Sequence, residues 1–250
     1  MSHRAGVAAA HALTDTNESS LQHVVLFYHY FSKDQVLTED QRASLRAWQE
    51  QLCRECGLVG RVLVSVQGLN GTLSGSLSGI QSFKDRIARW RHPGADDGSC
   101  GGKPTPFDAI DWKQSTCNPE DGAAFPDLIV KAVKELVASG GMQYDIHGSH
   151  AGHHLSPEEF HAALKETNPD DLVVIDVRNR FEHAIGHFVD GSGRAALDPN
   201  MRNFTQFKHY IDEQGPTLLK DKKVLMYCTG GIRCETASAY VQSKGLLTLV

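Results

Sequence analysis

The chain has 250 residues, 40% of them hydrophobic, a formal net charge of −5 and six cysteines. That length carries one large or two small domains with buried cores, and two is the better expectation. No run of about 18 apolar residues occurs, so no membrane partner is expected. Six cysteines in a chain this long do not make a disulfide scaffold, which points to a reducing compartment, the cytoplasm.

The charge is spread without a basic segment: residues 1–20, 21–140 and 141–250 carry net charges of −1, −1 and −3. A nucleic-acid partner would need a local patch, and Lys84, Arg86, Arg89, Arg91 and His92 recur along one expected helix. A solvated helix face explains the same pattern equally well.

In chain order, residues 1–20 lack an apolar core and include Asp15 and Glu18, which fits a disordered tail. HVVLFYHYF (23–31) is rich in β-branched and aromatic residues and reads as a strand. A helix follows, with Thr38 as N-cap, Leu45, Trp48 and Leu52 on one face and Gly57 as the stop. GRVLVSVQGLNGTLSG alternates Val62, Val64 and Val66 ahead of a Gly-Leu-Asn-Gly turn, a hairpin signal. Ile80, Phe83, Ile87 and Trp90 then fall at helical spacing, and FPDLIVKAVKELV reads as a last strand or a strand followed by a helix. Strand, helix, hairpin, helix, strand is the split βαβ pattern of a ferredoxin-like α+β domain, expected over 21–140.

Residues 141–155 read as a linker. Their HGSHAGHH run (His147, His150, His153, His154) sits among Gly and Ser, which favours a connection over a metal site. Cys53 and Cys56 form one C-x-x-C, but Cys100 and Cys117 are lone, so no zinc knuckle and no other metal is expected. From 156 onward Ser156, Pro157 and Glu159 make a capping box with a proline in the first turn. DLVVIDVR (171–178) and KKVLMYC (222–228) are near-continuous apolar runs of the kind found in parallel strands buried on both faces. ETASAYVQSKGL reads as a helix of small residues. Strands alternating with helices indicate an α/β parallel sheet, whose reactive groups gather at the C-terminal ends of the strands.

Cys228 stands at such an end, inside YCTGGIRCET. A turn of Thr229, Gly230, Gly231 and Ile232 directs main-chain N–H groups inward as a nest for an anion, and the following helix adds its positive end. A cysteine held there, beside Arg233, is kept as a nucleophilic thiolate; the plain alternative is a buried structural cysteine next to a helix start. Phosphatases built on a similar nest place the arginine one residue further on, where this chain has Cys234, so phosphoryl transfer is disfavoured. Arg178, at the same sheet end, is a second candidate for binding an anionic substrate, and Glu182 a partner for one of the arginines; a surface ion pair is the competing reading. Asp176 reads as a structural, hydrogen-bonding carboxylate and Cys234 as a candidate redox partner, with burial in the core as its alternative.

DVRNRFEHAIGHF followed by YCTGGIRCE resembles a rhodanese domain, and GRVLVSVQGLNGTLSG resembles the domain preceding it in the tRNA uridine hydroxylase family. The resemblance runs from about residue 23 to the C terminus. It implies an acylphosphatase-like N-terminal domain and a rhodanese-like domain over 156–250, with Cys228 as the catalytic cysteine and Arg233 with the loop amides as its anion cradle. Rhodaneses carry sulfane sulfur as a cysteine persulfide, whereas the hydroxylase branch is associated with oxygen-dependent 5-hydroxylation of uridine 34 in tRNA. The implied partners are tRNA, met transiently, and a small sulfur or oxygen donor, with no cofactor. A tRNA hydroxylase, a sulfurtransferase and a non-catalytic binding module all stay open. Gln67 departs from the glutamate expected in the family's turn, and a rhodanese domain is expected to continue beyond KGLLTLV with a strand, a glycine turn and a helix.

Overall fold

The computed structural model describes residues 22–91, 105–107, 110–118, 120, 123–146 and 152–246. The expected tail, His92, Cys100, His147 and His150 lie outside the described residues. The chain divides into two compact units, with the division between Leu136 and Val137.

The first unit is built on a five-stranded sheet of β1 (Gln22–Tyr30), β2 (Val59–Ser65), β3 (Gly68–Gly75), β4 (Lys113–Cys117) and β5 (Leu128–Ala132), in the order β4-β1-β3-β2-β5. β3 lies antiparallel between β1 and β2, and β4 runs antiparallel on the other side of β1. That is the ferredoxin-like arrangement, two interleaved split βαβ units. α1 (Glu39–Glu55) and α2 (Leu77–Ile87) supply the crossovers. Thr38 caps α1 as its sequence foretells: its hydroxyl accepts from the Gln41 N–H at 3.2 Å while the Gln41 side chain accepts from the Thr38 N–H at 2.8 Å.

Alternation along the strands sends Val25, Phe27, Val62, Val64, Leu69 and Leu73 to one face, where Leu45, Leu52, Ile80, Phe83 and Ile87 of the helices cover them. Each such side chain contributes roughly 1.5–3 kcal/mol when fully buried. Cys53 lies in this core, and burial pushes its thiol up to about 12, so the C-x-x-C holds an inert cysteine.

Three expectations for this unit need correction. Ser65 pairs with Gly68, so the hairpin turns at Val66–Gln67, and the Gly-Leu-Asn-Gly run lies inside β3. Gly71 is there for close packing: a Cβ on it would come within 2.6 Å of the Phe27 ring. FPDLIVKAVKELV supplies the strand β5 with no helix after it, and this strand is an added edge, parallel to β2. The strand that completes the ferredoxin-like order is β4, KQSTC, which escaped notice because an exposed edge strand needs no apolar alternation. In the basic stretch, Lys84 bonds Gln114 at 2.8 Å and Arg86 pairs with Glu55 at 2.6 Å, whereas Arg89 and Arg91 are exposed.

In the second unit β6 (Leu172–Asp176) and β7 (Lys223–Tyr227) run parallel, and Leu197 adds a parallel bridge beside Ile175. The continuous apolar run of β6 is explained by cover on both faces. Leu172 and Val174 pack with Ala163 and Leu164 of α3 (Pro157–Glu166), and Val173 and Ile175 pack on the other side. That second cluster takes Phe207 and Ile211 from α5 (Phe207–Leu218) and Ala237, Tyr240 and Val241 from α6 (Ile232–Ser243). α5 has no counterpart in the sequence reading, and it tolerates Gly215 and Pro216 because they fall in its last turn. Within 141–155, Met142 is buried and Tyr144 packs against the same cluster, while the Gly152 N–H donates to Ser238 at 2.9 Å. A six-residue helix, α4 (Arg180–Ile185), follows the β6 end.

Candidate active site around Cys228

Cys228 is the first residue after β7, and α6 begins at Ile232, three residues earlier than the small-residue pattern indicated. Ile232, Arg233 and Cys234 therefore form the first helical turn, leaving Thr229, Gly230 and Gly231 as the loop. Gly231 is the N-cap with φ +95, a conformation that L side chains rarely adopt, and its N–H donates to the Cys228 sulfur at 3.0 Å.

The Cys228 thiol is brought down to about 5. The Cys234 thiol, which hydrogen-bonds the Cys228 sulfur, contributes most; main-chain N–H groups of the loop and first helical turn, together with the Arg233 charge, add to it, and together they outweigh burial. The same bond, with burial, raises Cys234 well above its ordinary value, so it stays a protonated donor. One sulfur of the pair is an anion at neutral pH and the other a thiol.

Arg233 is clamped by Glu182. Nη1 donates to Oε2 at 2.9 Å and Nη2 to Oε1 at 3.1 Å, and Nη2 also reaches the Thr229 hydroxyl at 3.0 Å. Thr229 in turn donates to Glu182 Oε1 at 2.9 Å. Arg233 draws the Glu182 carboxyl down to about 2 against the effect of burial. This ring joins the start of α4 to the cysteine loop and fixes the guanidinium beside the thiolate.

Arg178 stands at the sheet end its sequence position implies, in an ion pair, the reading that competes with anion binding. Its main-chain N–H and Nε donate to Asp176 Oδ1 at 3.0 and 2.9 Å, and Nη2 donates to Oδ2 at 2.8 Å and to the Gly186 carbonyl at 2.6 Å. Asp176 is fully buried and also accepts from the Tyr227 hydroxyl at 2.8 Å, with His183 Nδ1 at 3.0 Å from Oδ2. Burial would raise this carboxyl, but bonds from Arg178, Tyr227 and His183 prevail and hold it below the ordinary range. Arg178 is thus a brace at the ends of β6 and β7, and the guanidinium beside Cys228 is that of Arg233.

His183 and Tyr227 were missed as members of this network. Tyr227 looked like one more strand residue, yet it pairs with Asp176 across the sheet. His183 lies in a six-residue helix too short for a periodic signal, and it stacks on His187 with ring centroids 4.2 Å apart. Among the described residues no group of three His, Cys, Asp or Glu side chains is arranged to hold a metal ion. Nor is any described helix long and apolar enough to cross a membrane.

Comparison with known proteins agrees with both units. A family described as UPF0176 acylphosphatase like domain matches residues 22–136, and the rhodanese-like domain family matches residues 156–250. A tRNA uridine(34) hydroxylase of Corynebacterium urealyticum is 35% identical over 236 residues, covering 93% of this chain and 69% of that protein. The chain belongs to the tRNA uridine(34) hydroxylase family. The tRNA uridine(34) hydroxylase of Arthrobacter is 33% identical, with 90% of this chain and 69% of that protein covered. Rhodanese-like domain-containing protein 6 of Arabidopsis thaliana is 34% identical over 91% of this chain but only 38% of its own length. The chain thus spans between 38% and 69% of the length of these relatives. In this member of the tRNA uridine(34) hydroxylase family the turn between β2 and β3 carries Gln67, whose carbonyl accepts from the Phe31 N–H at 2.8 Å, so the backbone there serves the hairpin whatever the side chain.

Proposed function

We propose that this chain hydroxylates C5 of uridine 34 in tRNA, using dioxygen, with the Cys228 thiolate as its reacting group. The observation that carries this reading is the Cys228 sulfur held as an anion by a main-chain N–H at 3.0 Å in a chain of this family. The overall change replaces C5–H by C5–OH with one atom of dioxygen; the other atom leaves as water and requires two electrons. In this reading Cys228 reacts, Arg233 and the N–H groups of the loop stabilise negative charge near it, and Glu182 positions Arg233. Asp176 and Arg178 hold the strand ends from which the loop springs. The tRNA encounter is transient, since neither half of the chain is basic overall. A cytoplasmic location suits a working thiolate.

Mass spectrometry of tRNA nucleosides from a host lacking its own uridine hydroxylase tests the proposal. Expression of this chain is expected to restore a uridine heavier by one oxygen atom, and Cys228→Ala to leave it absent. A modified uridine made by Cys228→Ala, or none made by the unaltered chain, overturns the reading. The sulfurtransferase alternative draws on the same thiolate and predicts a persulfide on Cys228 after thiosulfate, discharged to cyanide as thiocyanate.

A further inference from the structure

We propose that the sheet face opposite α1 and α2 in the first unit binds the single-stranded loop of a tRNA, stacking bases on tyrosines and holding phosphates with lysine and arginine. Strand register fixes which side chains share this face. Leu26 lies opposite Lys113 and Thr72, Thr72 opposite Arg61, and Arg61 opposite Ile129. In the next row Tyr28 lies opposite Asn70, Asn70 opposite Leu63, and Leu63 opposite Lys131. Directly opposed residues point to the same side, so both rows stand away from Val25, Phe27, Val62 and Val64, which the helices cover.

A sheet side that only meets water carries polar side chains. Here Leu26, Tyr28, Tyr30, Leu63 and Ile129 are half-buried. None of the five described strands contains an Asp or Glu, in a chain of net charge −5. All three of their Lys and Arg residues, Lys113, Arg61 and Lys131, project from this one face. Because the three lie on different strands, no basic run in the sequence marks the face. Asp111 and Asp127, just outside the strands, pair with Lys113 at 2.5 Å and with Arg61 at 2.6 Å. The side chains of these pairs are between 35% and 59% exposed, so an RNA phosphate can replace either carboxylate at little cost.

Rings and charges are interleaved. Tyr28 and Tyr30 stand on the same side of β1 with ring centroids 6.3 Å apart, and Lys113 Nζ lies 5.5 Å from the Tyr28 centroid. Further across the sheet, a cavity of about 200 Å³ is lined by Arg61, Leu63, Asn70, Thr72, Ile129 and Lys131. That is smaller than the roughly 300–1,000 Å³ of a small-molecule site, and it suits one planar base or one phosphate. Asn70 offers a base edge both an amide donor and an acceptor. Stacking on aromatic rings beside cations selects unpaired bases, because a duplex keeps its bases away from such rings. That the strand belongs to tRNA rests on the hydroxylase reading; the affinity for single strands does not.

The test uses the full chain and fluorescence anisotropy, with a labelled anticodon stem–loop bearing uridine 34, oligouridine and an RNA duplex as probes. The stem–loop and oligouridine are expected to bind more tightly than the duplex, and the plot of log affinity against log salt to have a slope of about −2 from three cations. Tyr28→Ala is expected to weaken binding about five-fold or more, and Tyr28→Phe, which keeps the ring, to leave it unchanged. Lys131→Glu, at an exposed position, should weaken binding and reduce the slope by about one third or more. Unaltered affinity in either Tyr28→Ala or Lys131→Glu, equal affinity for the duplex, or no binding by the unaltered chain overturns the RNA face and leaves the hydroxylase reading to its own test. A changed oligomeric state in these variants with RNA affinity intact also overturns it and makes the face a contact between copies of the chain. Oligouridine binding that both variants weaken, in a chain that makes no modified uridine, keeps the face and removes the hydroxylase reading.

Discussion

Glu182 and Arg233 form a two-point clamp, Nη1 to Oε2 at 2.9 Å and Nη2 to Oε1 at 3.1 Å, between residues 51 positions apart. Their side chains are only 21% and 17% exposed, so solvent weakens the pair less than it would a surface ion pair. The clamp leaves Arg233 little freedom to move away from Cys228.

Glu182→Gln breaks the charge match while keeping the shape. The second unit is expected to lose roughly 1–3 kcal/mol, read from urea denaturation. Because the folded carboxyl sits near 2 and its ordinary value is 4.5, its contribution is complete above about 4.5 and fades as pH falls toward about 2. The gap between unaltered and Glu182→Gln protein should narrow across that window; a gap independent of pH there contradicts the clamp.

Alkylation of Cys228 by iodoacetamide should reach half its plateau rate near pH 5 and fall away below it, because only the thiolate reacts. Arg233→Gln removes a cation but leaves the loop N–H groups in place. Its midpoint is expected to rise by roughly one unit or more. An unchanged midpoint would assign the acidity to Cys234 and the N–H groups alone.

The Asp176 carboxylate is buried and accepts hydrogen bonds from Arg178 and Tyr227, with His183 against its second oxygen. Asp176→Asn leaves the Arg178 guanidinium without its counter-ion and is expected to cost about 3–5 kcal/mol. Tyr227→Phe removes a single bond to the same oxygen and should cost about 1–3 kcal/mol. Denaturant midpoints of the two variants test that order, and a milder effect for Asp176→Asn would mean that the carboxylate is not a structural hub.

The reading of Cys228 needed only local information: a strand, two glycines and an arginine within six residues specify a turn and its charge. The partners across the fold were less accessible. Glu182 was paired with one of two arginines, and only its distances to Arg233 decide between them. Arg178 was open between an anion ligand and an ion-pair member, and its bonds to Asp176 and Gly186, invisible in the sequence, supply the ion pair. The misplacement of the hairpin turn has the same origin, since Gly71 packs on Phe27, a residue of another strand.

Periodicity, capping residues and turn chemistry act over a few residues, and they were enough to specify the α1, α2 and α3 helices, the two parallel strands of the second unit, of which only β6 is buried throughout, and the cysteine at the end of β7. The edge strand β4, the helix α5 with its late proline and the Asp176 hub came only from the folded chain. Those features depend on which distant groups share a low-dielectric site. Burial and hydrogen-bond geometry are properties of that assembled site, and no stretch of ten residues contains them.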